Sequence, residues 1–297
     1  MENYKDLKFN PNFVTGLTEA EGCFSVGVYK NQKSKFKRSV RLEFTIKMLE
    51  NETKLLSMVK SFFNCGKLWH YPKDNSVRFR IQDISSIKNK VIPHFLKYPL
   101  RGTKYLDFLV FKEVFNIIEN KDHLTDEGLN KLYILSKSMN KSRKFPVDVY
   151  YSPNHTKENS TNYIPIDGHY INGFIAGDGS LILDLGKQFG IMRLCITQHR
   201  NNRLLMESIA NYFESPSNVY LGRPNDIQII LNGTKLWENV IFKHFDKYPI
   251  FGTKKLRLDK FLLIRELKKD NKHLIQVGRS KKWVSDYKLR IIEIWKN

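Results

Sequence analysis

The sequence predicts an α+β fold built twice, and three observations carry that prediction. A short stretch recurs, first as Phe13-Val14-Thr15-Gly16-Leu17-Thr18-Glu19-Ala20-Glu21-Gly22 and then as Tyr170-Ile171-Asn172-Gly173-Phe174-Ile175-Ala176-Gly177-Asp178-Gly179. After each copy a helix period gives way to a strand period. A second segment also recurs, His94-Phe95-Leu96-Lys97-Tyr98-Pro99-Leu100-Arg101-Gly102-Thr103-Lys104 and His244-Phe245-Asp246-Lys247-Tyr248-Pro249-Ile250-Phe251-Gly252-Thr253-Lys254. Each half then reads α-β-β-α-β-β-α, giving two pseudo-symmetric αββαββα repeats of antiparallel strands. The N-terminal repeat takes residues 1–140, a linker 141–168 and the C-terminal repeat 169–297.

The recurring stretch reads as a helix. Asn10 caps the first copy and Pro11 suits its first position. Gly22 and Gly179 are expected in the left-handed conformation just past each helix end. Gly16 and Ala20 are four apart and share a face, as do Gly173 and Gly177. Small residues at that spacing let another backbone approach, so the two motif helices are expected to pack on each other. Glu21 and Asp178 fall in the last turn, where the helix dipole is negative and a carboxylate needs a cation. Paired side by side, the helices bring both acids and the free carbonyls of Ala20 and Gly177 to one end. That donor set suits a hard cation.

The strands follow in order. Phe24, Val26 and Val28 alternate with Cys23, Ser25, Gly27 and Tyr29. After the basic stretch Lys30 to Arg38, Val40, Leu42, Phe44 and Ile46 alternate with Arg41, Glu43, Thr45 and Lys47. A helix carrying Leu55, Val59 and Phe62 leads to a second hairpin, turning at Lys73-Asp74-Asn75 and returning through Val77, Phe79 and Ile81 against Arg78, Arg80 and Gln82. One face is apolar and packs on helices; the other is polar and faces water. Helices are expected toward His94, from Thr103 to Glu119 and from Thr125 to Ser138. Pro146, Pro153 and Pro165, with Asn and Ser between them, mark the linker. The second half repeats the pattern, with Leu181, Leu183, Met192, Leu194, Ile196, Ile227, Ile229 and Leu231 on its apolar face. The first hairpin is the longer of its two copies.

Lys and Arg number 50 against 30 acids, a net charge of +20. That balance points to a polyanionic partner, nucleic acid before an acidic membrane surface. No apolar run approaches a membrane span. Met1-Glu2-Asn3-Tyr4-Lys5-Asp6 is neither a signal peptide nor an acid-poor presequence. Cys23, Cys65 and Cys195 are too scattered for a zinc site or a disulfide framework, which fits a reduced intracellular protein.

The paired motif resembles LAGLIDADG, and the chain resembles the single-chain, two-repeat LAGLIDADG homing endonucleases of organellar introns. The resemblance covers nearly everything outside the linker. It implies two saddle-shaped antiparallel sheets joined by the motif helices, with the polar sheet faces in the DNA major groove. Alternation assigns to those faces Ser25, Tyr29, Arg41, Glu43, Thr45, Lys47, Arg78, Arg80 and Gln82 in the first repeat. In the second it assigns Ser180, Ile182, Asp184, Arg193, Thr197, Asp226, Gln228 and Ile230. Any amphipathic strand has a polar face, so without the motif this face would read as merely solvated.

The resemblance also implies the chemistry: cleavage of both DNA strands with short 3′ overhangs, with Glu21 and Asp178 holding Mg²⁺, or Mn²⁺ in its place. Asp is one methylene shorter than Glu, so the two positions are not equivalent. Lys104 and Lys254 match the family's basic residue near each phosphate. Each stands in a Gly-Thr-Lys copied between the halves, which argues against a casual surface lysine. The family's solvent-ordering polar residue maps to Gln198, but its counterpart is Met48, which cannot do this. Glu19 has Ala176 as its counterpart and reads as structural or solvent-facing. His94, His199 and His244 read as packing or phosphate neighbours. The implied protein is a monomer acting on double-stranded DNA in a mitochondrion, without a membrane partner. Two alternatives stay open: an intron RNA maturase, with intron RNA as the partner, and a LAGLIDADG-type DNA-binding protein that no longer cuts.

Overall fold

Both motif helices start on a side-chain cap. In the computed structural model, which describes residues 9–33, 37–140, 165–186, 189–269, 274–277 and 280–296, Asn10 Oδ1 accepts from the Asn12 N–H at 2.9 Å and opens Pro11–Glu21. Asp167 Oδ1 accepts from the His169 and Tyr170 N–H groups at 2.9 and 3.2 Å and opens Gly168–Asp178. The second helix thus begins on the last residue expected of the linker; residues 141–164 of that segment lie outside the described residues.

The two helices meet backbone to backbone. A Cβ placed on Gly16 would overlap the Tyr170 carbonyl and lie 2.9 Å from the Phe174 nitrogen. One placed on Gly173 would overlap the Phe13 carbonyl and lie 2.7 Å from the Leu17 nitrogen. Gly177 instead meets side chains, the Ala20 methyl and the Glu21 Cγ. Gly22 and Gly179 do not behave as expected. Both are extended, at φ −77°, ψ 157° and φ −78°, ψ 153°, so neither takes the left-handed conformation. Each helix runs straight into its strand, and the glycine is needed for room. A Cβ at either would come within 2.6 Å of the carbonyl oxygen of Thr18 or Ile175 in the preceding turn.

Strands β1 (Gly22–Lys30), β2 (Arg38–Leu49), β3 (Lys67–Tyr71) and β4 (Ser76–Ile81) form one antiparallel sheet in the order β1-β2-β4-β3. Strands β5 (Gly179–Leu183), β6 (Met192–His199), β7 (Val219–Leu221) and β8 (Asp226–Asn232) form the second in the matching order β5-β6-β8-β7. The first hairpin is the longer one, with strands of 9 and 12 residues against 5 and 8. Phe24, Phe44 and Phe79 in one sheet, and Leu181, Leu194 and Ile229 in the other, are fully buried under helices. Two cores result, and each borrows from the other half: Phe251 and Ala176 sit in the first core, and Ala20 packs on the second.

The helices fall close to expectation: Thr53–Phe63, Lys104–Glu119 and Asp126–Lys137, then Arg203–Tyr212 and Thr253–Lys268. Each repeat also has a π-helical turn, Ile87–Val91 or Trp237–Ile241, before Ile92–Lys97 or Phe242–Lys247. A small antiparallel pair, β9 (Leu274–Val277) and β10 (Ser280–Trp283), precedes the helix Ser285–Lys296 and was not anticipated. No helix among the described residues is long and apolar enough to cross a membrane.

The helix contact leaves no space for even one methyl group. Gly173→Ala should therefore cost about 3 kcal/mol, the upper end of overpacking penalties, because the obstruction is backbone. Gly16→Ala should cost about as much. Urea denaturation of both variants checks this, and a Gly173→Ala protein as stable as the wild type would refute the contact.

Candidate active site and nucleic-acid interface

Helix packing delivers the acids. Glu21 and Asp178 are the last residues of the two motif helices, so both arrive at one end of the pair. Burial pushes both carboxyls above their usual range. Asp178 adds to the rise at Glu21, while Lys104 and Lys254 oppose it at both acids. Among the described residues no cluster of three or more His, Cys, Asp and Glu surrounds them. Two carboxylates and helix-end carbonyls make a hard oxygen donor set. It fits a Mg²⁺-like ion that keeps waters and takes its remaining ligands from phosphate.

The cations come from the duplicated segments, in the first turns of the helices Lys104–Glu119 and Thr253–Lys268. Lys104 Nζ donates to the Glu19 and Ala20 carbonyls at 2.6 and 2.7 Å. It thus holds one acceptor position on the Ala20 carbonyl expected to face metal, and it satisfies the helix end. Burial and the nearby Arg257 lower the Lys254 amine's pKa, while Glu52, Glu21 and Asp178 raise it. Gln198 donates through Nε2 to Asp178 Oδ2. Met48, its counterpart, is buried in the first core.

Glu19 proves structural, not solvent-facing. It is 1% exposed, and its Oε2 accepts from the Arg101 and Gly102 N–H groups at 2.8 and 3.0 Å and from the Tyr170 hydroxyl at 3.0 Å. His94 and His244 also prove structural, both being buried. Thr15 Oγ1 sits 3.1 Å from His94 Nε2 and donates to the Tyr98 carbonyl at 3.1 Å. In the second half Asn172 takes that place, with Oδ1 2.7 Å from His244 Nε2 and Nδ2 donating to the Tyr248 carbonyl at 2.7 Å. Each pair docks a motif helix onto its Tyr-Pro loop. His199 uses Nδ1 to accept from the Asn201 N–H.

The open faces of the two sheets carry the residues that alternation assigned to them, except that Gln82 and Asp184 lie one residue past their strands and reach the face through Glu43 and Arg193. In the first sheet the register sets Ser25 opposite Glu43, Arg41 opposite Gly27, and Thr45 and Lys47 opposite Arg80 and Arg78. In the second it sets Ser180 opposite Cys195, Ile182 opposite Arg193, and Thr197 opposite Gln228. Thr45 lies on this face but is 7% exposed, covered by its neighbours. The arginines are already held. Arg80 lies 3.3 Å from Glu43, and Arg193 lies 2.9 Å from Asp184. Arg41 and Arg78 stack on Tyr29 and Tyr71 at 5.2 and 5.1 Å. Such contacts pre-set planar forks suited to base edges.

Sequence reasoning gave each repeat its third strand but assigned none of that strand's residues to the open face. Trp69 pairs with Arg78, Lys67 with Arg80, and Tyr220 with Gln228, so all three share the open face. Their signal was weak because β3 is an edge strand whose alternate residue His70 is exposed, not apolar. Cys23 and Cys195 also lie on this face, half-buried and free.

The sequence profile of the LAGLIDADG endonucleases matches residues 14–115 and 171–264. The chain belongs to the LAGLIDADG endonuclease family. It is 30% identical over 287 residues to a probable intron-encoded endonuclease 2 of Neurospora crassa, an alignment covering 92% of this chain and 63% of that protein. The chain therefore spans less than two thirds of that relative's length. Among solved structures it resembles the I-LtrWI LAGLIDADG homing endonuclease bound to target DNA, at 28% identity and TM-score 0.79, covering 96% of each chain. It also resembles I-SmaMI bound to an uncleaved DNA target in the presence of calcium, at 25% identity and TM-score 0.82, covering 97% and 98%.

Two stability predictions follow from the buried groups. Raised acids favour the fold while protonated; that stability is lost as pH rises through their folded-state values. At neutral pH Glu21→Gln and Asp178→Asn should therefore raise the melting temperature, and a fall in both would contradict the burial effect. The histidines act in the opposite sense. His94 and His244 are held down to about 3 from 6.5 by burial, so the unfolded chain binds their protons first. Their contribution should be lost as pH drops from about 6.5 toward 3. In urea titrations His244→Gln should be less stable at pH 7 but flatter across that range.

Proposed function

We propose that the chain is a site-specific DNA endonuclease that hydrolyses both strands with divalent metal, Mg²⁺ foremost, and leaves short 3′ overhangs. The observation that carries this reading is the meeting of Glu21 and Asp178 at one end of the helix pair, next to two open polar sheet faces. The relatives described above as endonucleases, and the similar structures bound to DNA, support it. By the same resemblance the enzyme is a monomer, intron-encoded and mitochondrial, with a repeat on each side of a linker at 141–168.

The residues divide the work. The sheet faces, on a chain of net charge +20, draw in the duplex and read base edges in the major groove. Glu21 and Asp178, with the carbonyls of Ala20 and Gly177, supply oxygen donors between the two scissile phosphates. A divalent ion bound there neutralises phosphate charge and lowers the pKa of an attacking water. Lys104 and Lys254 offset the charge that builds on each phosphate. Gln198, which donates to Asp178, keeps its carbonyl oxygen for orienting its neighbours. Met48 offers no such group, so the two halves are unequally equipped.

Plasmids carrying candidate intron-insertion sites, incubated with Mg²⁺ or with EDTA, test the reading. The wild type should linearise one of them with Mg²⁺ only. Glu21→Gln with Asp178→Asn should abolish cutting but retain binding in Ca²⁺, with affinity falling steeply as salt rises. Wild-type cutting by that double variant would refute the assignment of the acids.

A further inference from the structure

Each lysine-bearing loop is pinned by a residue of the opposite repeat. The Thr103 N–H, next to Lys104, donates to Asn202 Oδ1 at 2.8 Å. The Thr253 N–H, next to Lys254, donates to Glu52 Oε1 at 3.0 Å, and the Thr253 hydroxyl donates to the same oxygen. Glu52 and Asn202 occupy corresponding places. Each ends the short 3-10 turn after a central strand, Glu50–Glu52 after β2 and Arg200–Asn202 after β6. They are 5% and 7% exposed. Buried polar groups committed to main-chain partners fix those partners, because a bond left unmade costs the desolvation of both ends. The loops are shaped to receive them. A Cβ on Gly102 would lie 2.8 Å from Asn202 Oδ1, and one on Gly252 would overlap the Glu52 carboxylate.

The two pins are wired differently. Asn202 also donates through Nδ2 to Gln198 Oε1 at 2.8 Å, and Gln198 donates to Asp178. An unbroken chain of hydrogen bonds thus runs from Asp178 through Gln198 and Asn202 to the main chain beside Lys104. On the other side Met48 interrupts the equivalent path, and Glu52 holds its loop with a carboxylate instead.

We propose that Asn202 and Glu52 are positioning residues, each placing the phosphate-side lysine of the opposite repeat, so that each half's chemistry is set partly by the other half. The proposal rests on the cleavage reading above. It is tested with full-length Asn202→Ala, Asn202→Asp, Glu52→Ala and Glu52→Gln proteins on a duplex bearing the cut site, each strand labelled separately, in Mg²⁺. Displacing a catalytic group by about 1 Å can cost on the order of 100-fold. Each alanine variant should slow one strand by roughly 10- to 100-fold, and the two should slow different strands, so that nicked duplex accumulates. Glu52→Gln keeps the acceptor oxygen and should recover most of the rate, whereas Asn202→Asp keeps that oxygen but loses the Nδ2 donor to Gln198 and should recover only part of it. Binding in Ca²⁺ should not change. Equal slowing of both strands, no slowing, or no recovery in the conservative variants would overturn the proposal.

Hydrogen exchange without DNA or metal gives a separate reading. Asn202→Ala should speed exchange at the Thr103 amide, and Glu52→Ala at the Thr253 amide. Unchanged exchange would overturn the pinning whatever the cleavage result. A wild type that cuts no duplex but shows both exchange effects would refute the endonuclease reading and leave the pins standing.

Discussion

Everything at the centre of this molecule depends on two helices whose backbones touch. Gly16 lies against the Tyr170 carbonyl, and Gly173 lies against that of Phe13. At these two points no side chain lies between the helices, so their separation there is set by main chain. Glu21 and Asp178 close the two helices, and each strand starts at the next residue. The acids therefore inherit their relative position from the glycine contact, and the sheets inherit theirs from the same ends. One packing constraint fixes the site and the open faces together.

That arrangement has an electrostatic consequence. Burial raises both carboxyls, and Lys104 and Lys254 act on each of them from helix starts in different repeats. The ammonium of Lys104 sits on the carbonyls that end the first motif helix, where the dipole favours a cation. Glu19 gives one oxygen to the loop before Lys104 and to Tyr170 of the other helix. A residue without a symmetric counterpart thus ties one loop to both helices.

Much of this was legible in the sequence because the chain is built twice. A single Gly-x-x-x-Ala could be an incidental core helix; its recurrence as Gly173 and Gly177, with an acid after each, could not. Period-two alternation placed the open-face residues of the long strands because their apolar partners, such as Phe44 and Leu194, are fully buried and so leave a clear pattern. The open-face residues of β3 and β7 escaped because edge strands need no apolar alternation. The extended glycines after each helix escaped because a glycine needed for space looks the same in sequence as one needed for left-handed backbone. The cross-repeat bonds of Glu52 and Asn202 had no local signal at all, since their partners are distant in sequence and main chain.

The proposed need for metal has a root in the same charges. Two acids and two lysines roughly balance before DNA arrives. A phosphate brought to each half adds negative charge where burial has already weakened solvation of the carboxylates, and repulsion there is strong in a poorly solvated setting. The lysines are already committed in part: Lys104 holds two carbonyls, and burial disfavours the charged form of Lys254. On the proposed reading a divalent ion supplies the further positive charge that lets phosphates and acids share the space, and the oxygen donors present suit one. Metal and DNA should therefore assemble at this site together, each lowering the cost of the other.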